Sequence, residues 1–393
     1  EKANLLLEKH TFKELLADVE QRNLQNNIVG LEATRLFARS EINMGVDAFR
    51  DSLYAMLKRN TFLNIKFENM LDTLGEMSRT DLYSYLKEWE QLTPLPFYSI
   101  GEPELTKVVN KGGEEFFVLK VLVSNNSDYD GIIQMNVLQN GWWYQPMEDP
   151  RARKKVEIAA HTSKEFVSVW EEQIRDVEIN TMVSGNLPYM IRQSIGNVKQ
   201  ERNKIVKDTI YTLPESSLEM PGEIIVDNED STLFVLSTPA VVGLLPKWLD
   251  KVEDTSFKYS GISWWRAPLQ WTATTNAKYY GKYIRSAYVI KSGDGSQTAT
   301  WKIPVPEAGQ YELYYHVFKD DELRWNDRLQ GEYHFRVAYD SEMEDAYINL
   351  RKANEGWEQL GTYYFSADTV RVVLTDECKL RSVTADAVKI VKR

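Results

Sequence analysis

The sequence predicts a multi-domain α+β chain, with an N-terminal helical piece followed by two antiparallel β-sandwiches. Three observations carry this. At 393 residues the chain exceeds one ordinary domain and suits two or three. Apolar residues recur at helical spacing up to Pro94 and Pro96, then at the period of two that marks half-buried strands. The stretch Ala299 to Val317 shows the second period most clearly. Trp301, Ile303 and Val305 alternate on one strand and Leu313, Tyr315 and Val317 on the next, with a turn forced between them by Pro304, Pro306 and Gly309.

Composition narrows the function classes. Hydrophobic residues make up 43% and charged residues 27%, as in ordinary folded proteins. The formal net charge is -11, and no Lys/Arg-rich run is interleaved with aromatics, so nucleic acid is not an expected partner. The cluster Arg151 to Lys155 reads as a solvated loop. With Cys378 as its one cysteine the chain cannot form an internal disulfide. No apolar run approaches the roughly 18–20 residues of a membrane span. The start at Glu1-Lys2-Ala3 suggests a fragment or processed chain, and an extracytoplasmic location (periplasmic, cell-surface or secreted) is expected. The 11 Trp, 21 Tyr and 14 Phe point first to cross-strand packing and second to ligand platforms.

Residues 1–97 read as antiparallel helices. Phe12, Leu15, Leu16 and Val19 share one face, and Leu31 to Phe37 continue the pattern until Gly45 breaks it. Phe49, Leu53, Met56 and Leu57 line the next helix. Asn64 is placed to cap a helix carrying Phe67, Met70, Leu71 and Leu74, and Thr80 one carrying Leu82, Tyr85, Leu86 and Trp89.

Within this piece Gly45 to Arg50, Asn64 to Met77, Thr80-Asp81-Leu82, Trp89 and Leu95-Pro96 follow one another in an order that resembles the end of the catalytic domain of aminopeptidase-N-like zinc metallopeptidases, over roughly residues 28–100. The glycine that this family carries before Asp81 is absent. The resemblance implies zinc held by H-E-x-x-H, in which two His one helical turn apart bind the metal and Glu serves as base. The four His here are His10, His161, His316 and His334, and none lies four residues from another. No catalytic residue and no cofactor is therefore assigned to this chain: either the zinc site lies upstream in a longer parent, or the parent has none.

Residues 98–195 change period. Strands are expected at Phe116 to Ser124 (entered through Gly112-Gly113), Ile132 to Leu138, Val156 to Ala160, Phe166 to Trp170 and Val177 to Thr181, separated by turn clusters. This spacing suits an Ig-like sandwich. Trp142-Trp143-Tyr144 reads as packing, with a ligand platform as the alternative. Residues 196–221, with Lys199 to Lys204 and then Pro214 and Pro221, read as an exposed linker.

From 222 to 393 the order of short motifs is more specific. Glu223 to Asp230 opens it; Trp271, Tyr280-Gly281, Ala299-Thr300-Trp301, Gly309 to Leu313, Gly356 to Phe365, Val372 to Asp376 and Thr384 to Val388 follow. This resembles a golvesin C-terminal-type domain, also described as xanthan lyase-like, with an insertion at Thr238 to Ser263. The resemblance implies a jelly-roll sandwich similar to carbohydrate-binding modules.

Two groups are candidate ligand contacts: Trp264, Trp265 and Arg266, and Trp325, Asn326, Asp327 and Arg328. A flat ring stacks on the apolar face of a sugar while neighbouring amide, carboxylate and guanidinium groups bind hydroxyls. The competing reading is that consecutive Trp residues pack into the core and a domain contact. Trp271, Trp301 and Trp357 are assigned to the core. Asp227 to Asp230 offers oxygen ligands suited to Ca²⁺ but lacks the spacing of a known loop, and reads as a solvated turn. Asp386 reads as a carboxylate bonded to backbone N–H groups. Lys291 to Gly295 reads as a hairpin turn rather than a phosphate loop.

The leading functional reading is the non-catalytic C-terminal region of a larger metallopeptidase-like protein whose accessory sandwiches bind a glycan or protein partner. The alternatives are a free-standing carbohydrate-binding module and a polysaccharide (xanthan-type) lyase. The last needs Tyr315, His316, His334 and Arg324 to meet, although neighbours on one strand point to opposite faces. Elemental analysis of the purified chain should find no stoichiometric zinc; a tightly held equivalent of metal would overturn the assignment of the zinc site to a parent.

Overall fold

The computed structural model describes residues 1–18, 21–61, 63–88, 91, 94–139, 149–202, 206–216, 218, 222–237, 257–262, 266–319 and 331–393. The chain divides into two compact units, Glu1–Leu218 and Glu219–Arg393. It is a mostly β, α+β protein, with five sheets among the described residues.

The first unit opens with helices α1 (Lys2–Lys9), α2 (Phe12–Ala17), α3 (Gln25–Met44), α4 (Val46–Arg59), α5 (Phe67–Ser78) and α6 (Leu82–Glu88). A capping box starts α2. The Glu14 N–H donates to Thr11 Oγ1 at 3.1 Å, and the Thr11 N–H donates to Glu14 Oε2 at 2.9 Å. Gly45, at φ 85°, separates α3 from α4 as expected. Two expected caps are corrected. α5 starts after Lys66, so Asn64 lies outside it. α6 is capped by Asp81, whose Oδ1 accepts from the N–H groups of Tyr83 and Ser84, while Thr80 instead accepts from Asn43. Leu36, Phe49, Leu71, Leu74 and Leu82 form the helical core. Leu16 and Leu57, expected on buried faces, are exposed.

The same unit continues as β1 (Tyr98–Ile100), β2 (Glu104–Val109), β3 (Glu115–Asn125), β4 (Gly131–Gln139), β5 (Arg153–Ile158), β6 (Thr162–Trp170), β7 (Ile174–Asn180), β8 (Met190–Ser194), β9 (Val198–Arg202) and β10 (Thr209–Pro214). One sheet runs β10-β6-β3-β2-β9 with β1 also on β3, and the facing sheet runs β5-β4-β7-β8. Leu119, Val121, Ile133, Met135, Phe166, Trp170, Val177 and Ile179 fill the space between them. Residues 196–221 are therefore not simply an exposed linker: β9 pairs in parallel with β2, and β10 pairs with β6. Polar side chains hid these strands, because edge strands present one face and one rim to water. The solvated loop expected at Arg151 to Lys155 is likewise corrected, since Arg153–Ile158 is a strand and Lys155 pairs with Glu41 of α3.

The second unit contains β11 (Glu223–Val226), β12 (Phe234–Ser237), β13 (Thr272–Thr275), β14 (Ser286–Lys291), β15 (Thr298–Pro304), β16 (Gly309–Val317), β17 (Glu332–Tyr339), β18 (Glu342–Asn349), β19 (Gly356–Phe365), β20 (Thr369–Thr375), β21 (Ser382–Ala385) and β22 (Val388–Lys392). Its sheets run β11-β22-β16-β19, β12-β15-β20-β17-β18 and β13-β14-β21. β15 and β16 are both strands, yet they do not pair. The proline turn carries the chain from one sheet to the other, and each strand is central in its own sheet. Likewise, Lys291 to Gly295 links β14 to β15 in different sheets and closes no hairpin.

Between the sheets lie Trp301, Tyr311, Leu313, Tyr315, Phe335, Phe365, Val372, Leu374, Val388 and Ile390. Trp301 is fully buried, its ring 5.4 Å from Phe234 and its indole N–H 3.2 Å from the Asp386 carbonyl. Trp301→Ala should destabilise this unit by about 3–5 kcal/mol, read as a lowered urea midpoint. A loss below about 1 kcal/mol would contradict its place at the centre of the core.

Candidate functional site

The outward face of the sheet β11-β22-β16-β19 is built by alternation along β16. Tyr311, Leu313, Tyr315 and Val317 point into the core; Glu312, Tyr314 and His316 point away from it. On β19 the same alternation places Phe365, Tyr363 and Gly361 opposite the inward residues Gly309, Tyr311 and Leu313. Continued without interruption, it would turn Trp357 inward too. A bulge intervenes. Leu313 pairs with Gly361 but Tyr314 pairs with Gln359, leaving Leu360 as the extra residue. From there on the parity is reversed, and Trp357 stands opposite His316 on the outward face. The assignment of Trp357 to the core is thereby corrected: it is partly exposed.

Three rings meet around this point. Trp357 lies edge-on to His316 at 5.1 Å, Tyr280 lies 5.1 Å from Trp357, and Tyr280 is 5.8 Å from His316. Tyr280 comes from the turn between β13 and β14. That turn is tied by the Asn276 N–H to the Arg285 carbonyl at 3.1 Å and by Arg285 Nη1 to the Ala277 carbonyl at 2.8 Å. Lys389 of β22 adds a cation 4.8 Å from the Trp357 ring and 5.3 Å from Tyr314, and its ammonium donates to Glu223 at 2.7 Å.

Beneath the rings sits Asp386, between β21 and β22 and 0% exposed. Its carboxylate accepts from His316 Nδ1 at 2.8 Å and from the Tyr280 N–H at 3.1 and 3.2 Å. The expectation of a backbone-bonded carboxylate therefore holds, with an imidazole added. Burial pushes the Asp386 carboxyl above its usual range, while His316, the Tyr280 N–H and Arg285 pull it back. Asp227 is raised well above the ordinary carboxylate range, first by burial and then by the charge of Asp386. Of this pair Asp386 is the one that holds the His316 ring nitrogen and the Tyr280 N–H.

Asp227 to Asp230 is a turn, but not a freely solvated one. The side-chain amide of Asn228 is bonded to the Ser286 hydroxyl at 2.7 Å, and Glu229 takes that hydroxyl and Lys258. Among the described residues, no group of three or more His, Cys, Asp or Glu side chains is arranged to hold a metal ion.

Of the residues singled out from sequence, Arg266 is exposed. Trp264, Trp265, Trp325, Asn326, Asp327 and Arg328 lie outside the described residues, as do Trp142-Trp143-Tyr144 and Arg324. Of the groups required of a lyase, the three described ones are not brought together. Tyr315 is buried in the core, His316 faces outward on the same strand, and His334 belongs to the other sheet, where it lies between Asp345 and Glu377. The His316–Asp386 pair, Tyr280 and Trp357 escaped sequence reading as a group. The available signal was a charged residue between two small ones, Ala385-Asp386-Ala387, in an otherwise buried run.

Residues 264–392 match the sequence profile of the Golvesin C-terminal domain. No curated protein matches the chain. Among solved structures the chain is similar to a Paenibacillus xanthan lyase, at 15% identity and a TM-score of 0.31 over 77% of this chain and 27% of that one. It is also similar to a Bacteroides uniformis beta-glucuronidase, at 10% identity and a TM-score of 0.21 over 81% of this chain and 32% of that one. An exo-beta-1,3-galactanase from Phanerochaete chrysosporium aligns at 6% identity and a TM-score of 0.25 over 74% of this chain and 68% of that one. The chain thus spans about a third or less of the length of the lyase and the glucuronidase. None of these matches supports the aminopeptidase-N-like resemblance of residues 28–100.

A carboxyl whose folded pKa is raised stabilises the fold while protonated, and that stability is lost as pH rises from the unfolded value of 3.8 through the folded one. Asp227→Asn, which stays neutral throughout, should therefore raise the thermal midpoint of the second unit at pH 7 and leave it nearly unchanged at pH 3. A lower midpoint at pH 7 would show that the Asp227 charge is needed where it stands.

Proposed function

We propose that the second unit is a glycan-binding module and that the face around Trp357 is its contact surface. The observation that carries this is the cluster of Trp357, turned outward by the Leu360 bulge, with His316 of β16 and Tyr280 of the β13–β14 turn. An aromatic ring offers a flat apolar surface to the C–H face of a pyranose, while charged and hydrogen-bonding groups at its edge meet the hydroxyls. Here those groups are His316 and the Lys389–Glu223 pair. The match of residues 264–392 to the Golvesin C-terminal domain supports a module of this kind. A glycan ligand accords with an extracytoplasmic location.

A second reading concerns the helical piece. In it, residues 1–97 are the end of a larger zinc-aminopeptidase-like protein whose metal lies outside this chain. It rests on the order of motifs in residues 28–100 and on the exposed apolar side chains of Tyr54, Leu57, Leu63 and Phe67. A reading frame encoding H-E-x-x-H ahead of Glu1 would support it, and one without that motif would remove it.

The glycan reading is tested by pull-down and calorimetry of the purified chain against cellulose, xylan, mannan and polygalacturonate. At least one is expected to bind, and Trp357→Ala should weaken that binding more than about tenfold. Trp264→Ala and Trp325→Ala provide the comparison: if either abolishes binding while Trp357→Ala does not, the contact surface lies with the loops. If all four polysaccharides fail to bind, the glycan reading falls.

A further inference from the structure

His316 has one ring nitrogen committed and one open. Nδ1 lies 2.8 Å from Asp386 Oδ2, whereas Nε2 has no hydrogen-bond partner among the described residues. The imidazole is held on three sides. Asp386 lies beneath it, Trp357 stands edge-on to it from β19, and Tyr280 closes it from the β13–β14 turn. Its side chain is 13% exposed, so little more than one edge reaches solvent. Among the described residues, charged groups near it include Asp386, Asp227, Glu229 and Arg285, the Lys389–Glu223 pair beside Trp357 and the Lys278–Glu355 pair that joins the Tyr280 turn to the start of β19.

Asp386 can only accept from the ring while it is ionised, and it is already accepting from Tyr280. Nδ1 must therefore carry a hydrogen, and in the neutral imidazole the lone pair falls on Nε2. An imidazole gripped in this way is costly to leave with an idle acceptor at the mouth of an aromatic face.

We infer that His316 is the polar recognition point of the Trp357 face: its Nε2 accepts a hydrogen bond from a hydroxyl of a saccharide whose ring lies against Trp357, and Asp386 is the positioning residue that fixes the tautomer. This rests on the glycan-binding reading and names the chemistry of its contact. The ligand group is a neutral donor, a pyranose hydroxyl, in preference to a uronate carboxylate, which has no hydrogen to give.

The experiment uses the full chain, ¹⁵N-labelled at histidine, with cellohexaose, xylohexaose and mannohexaose as probes at pH 8. The His316 ring nitrogens should report the Nδ1–H tautomer. In Asp386→Asn the carboxamide oxygen keeps the Tyr280 N–H and the NH₂ turns towards Nδ1. The hydrogen then moves to Nε2, and the acceptor becomes a donor. Affinity for whichever hexaose binds should fall about fivefold or more in both His316→Ala and Asp386→Asn. His316→Gln, whose carbonyl reaches a similar place, should recover most of it. If Asp386→Asn does not fold, the contrast between His316→Gln and His316→Ala decides the matter. Binding that needs Trp357 but is indifferent to His316→Ala overturns this inference and leaves the glycan reading standing. A wild-type tautomer with the hydrogen on Nε2 also overturns it. Failure of every hexaose to bind the wild-type chain while polygalacturonate binds overturns this inference alone, and failure of the hexaoses and all four polysaccharides removes both.

Discussion

The second unit is organised around a carboxylate that has no access to water. Asp386 is fully buried, and an ion in such a place is tolerated only when every lone pair it presents is met. Its partners come from three parts of the sequence. His316 is carried by a central strand, Tyr280 by a turn about a hundred residues earlier in the chain, and Trp301 reaches the carbonyl of the same residue from the opposite sheet. Satisfying one buried charge therefore sets the position of the turn and the rotation of the imidazole, while the backbone carbonyl of the same residue seats the Trp301 ring. The aromatic face is a by-product of that demand: rings gather where the backbone has been drawn together to solvate Asp386.

Much of the architecture is written in local pattern. The helical spacing of Phe49, Leu71, Leu74 and Leu82 places them in one core, and the alternation in β3, β4, β15 and β16 places those strands. The order of short motifs after residue 222 agrees with the Golvesin C-terminal match over 264–392. Pairing was less legible. The two strands on either side of Pro304 and Gly309 look like a hairpin because a proline-rich turn joins them, yet each finds its partners elsewhere. A turn specifies that the chain reverses, not that the two arms share a ladder. β9 and β10 were missed for a different reason. Lys199, Gln200, Glu201 and Arg202 carry no apolar alternation, and their strand exists because β2 offers unpaired backbone groups.

The candidate site was the least legible part, and a single residue explains why. Every inference from alternation assumes an unbroken period of two. Leu360 breaks it, so that Trp357, four residues before Gly361, faces the opposite way from what counting predicts. Nothing in Gly356 to Phe365 announces the break, since its bulged residue is an ordinary leucine. The dyad of His316 and Asp386 is likewise a tertiary fact: seventy positions separate its members. Sequence reading did place Asp386 correctly by itself, bonded to backbone N–H groups, and set His316 on the face opposite Tyr315.

The bulge has one more effect. Among the described residues β19 is an outermost strand of its sheet, and such strands offer a row of free amide and carbonyl groups to any other extended chain. A flat rim of ten residues rich in Tyr, Trp and Phe would be a template for stacking molecules into fibrils. The extra residue at Leu360 kinks that rim and spoils its repeat, so the irregularity that turns a tryptophan towards solvent also keeps neighbouring copies of the protein from zipping together.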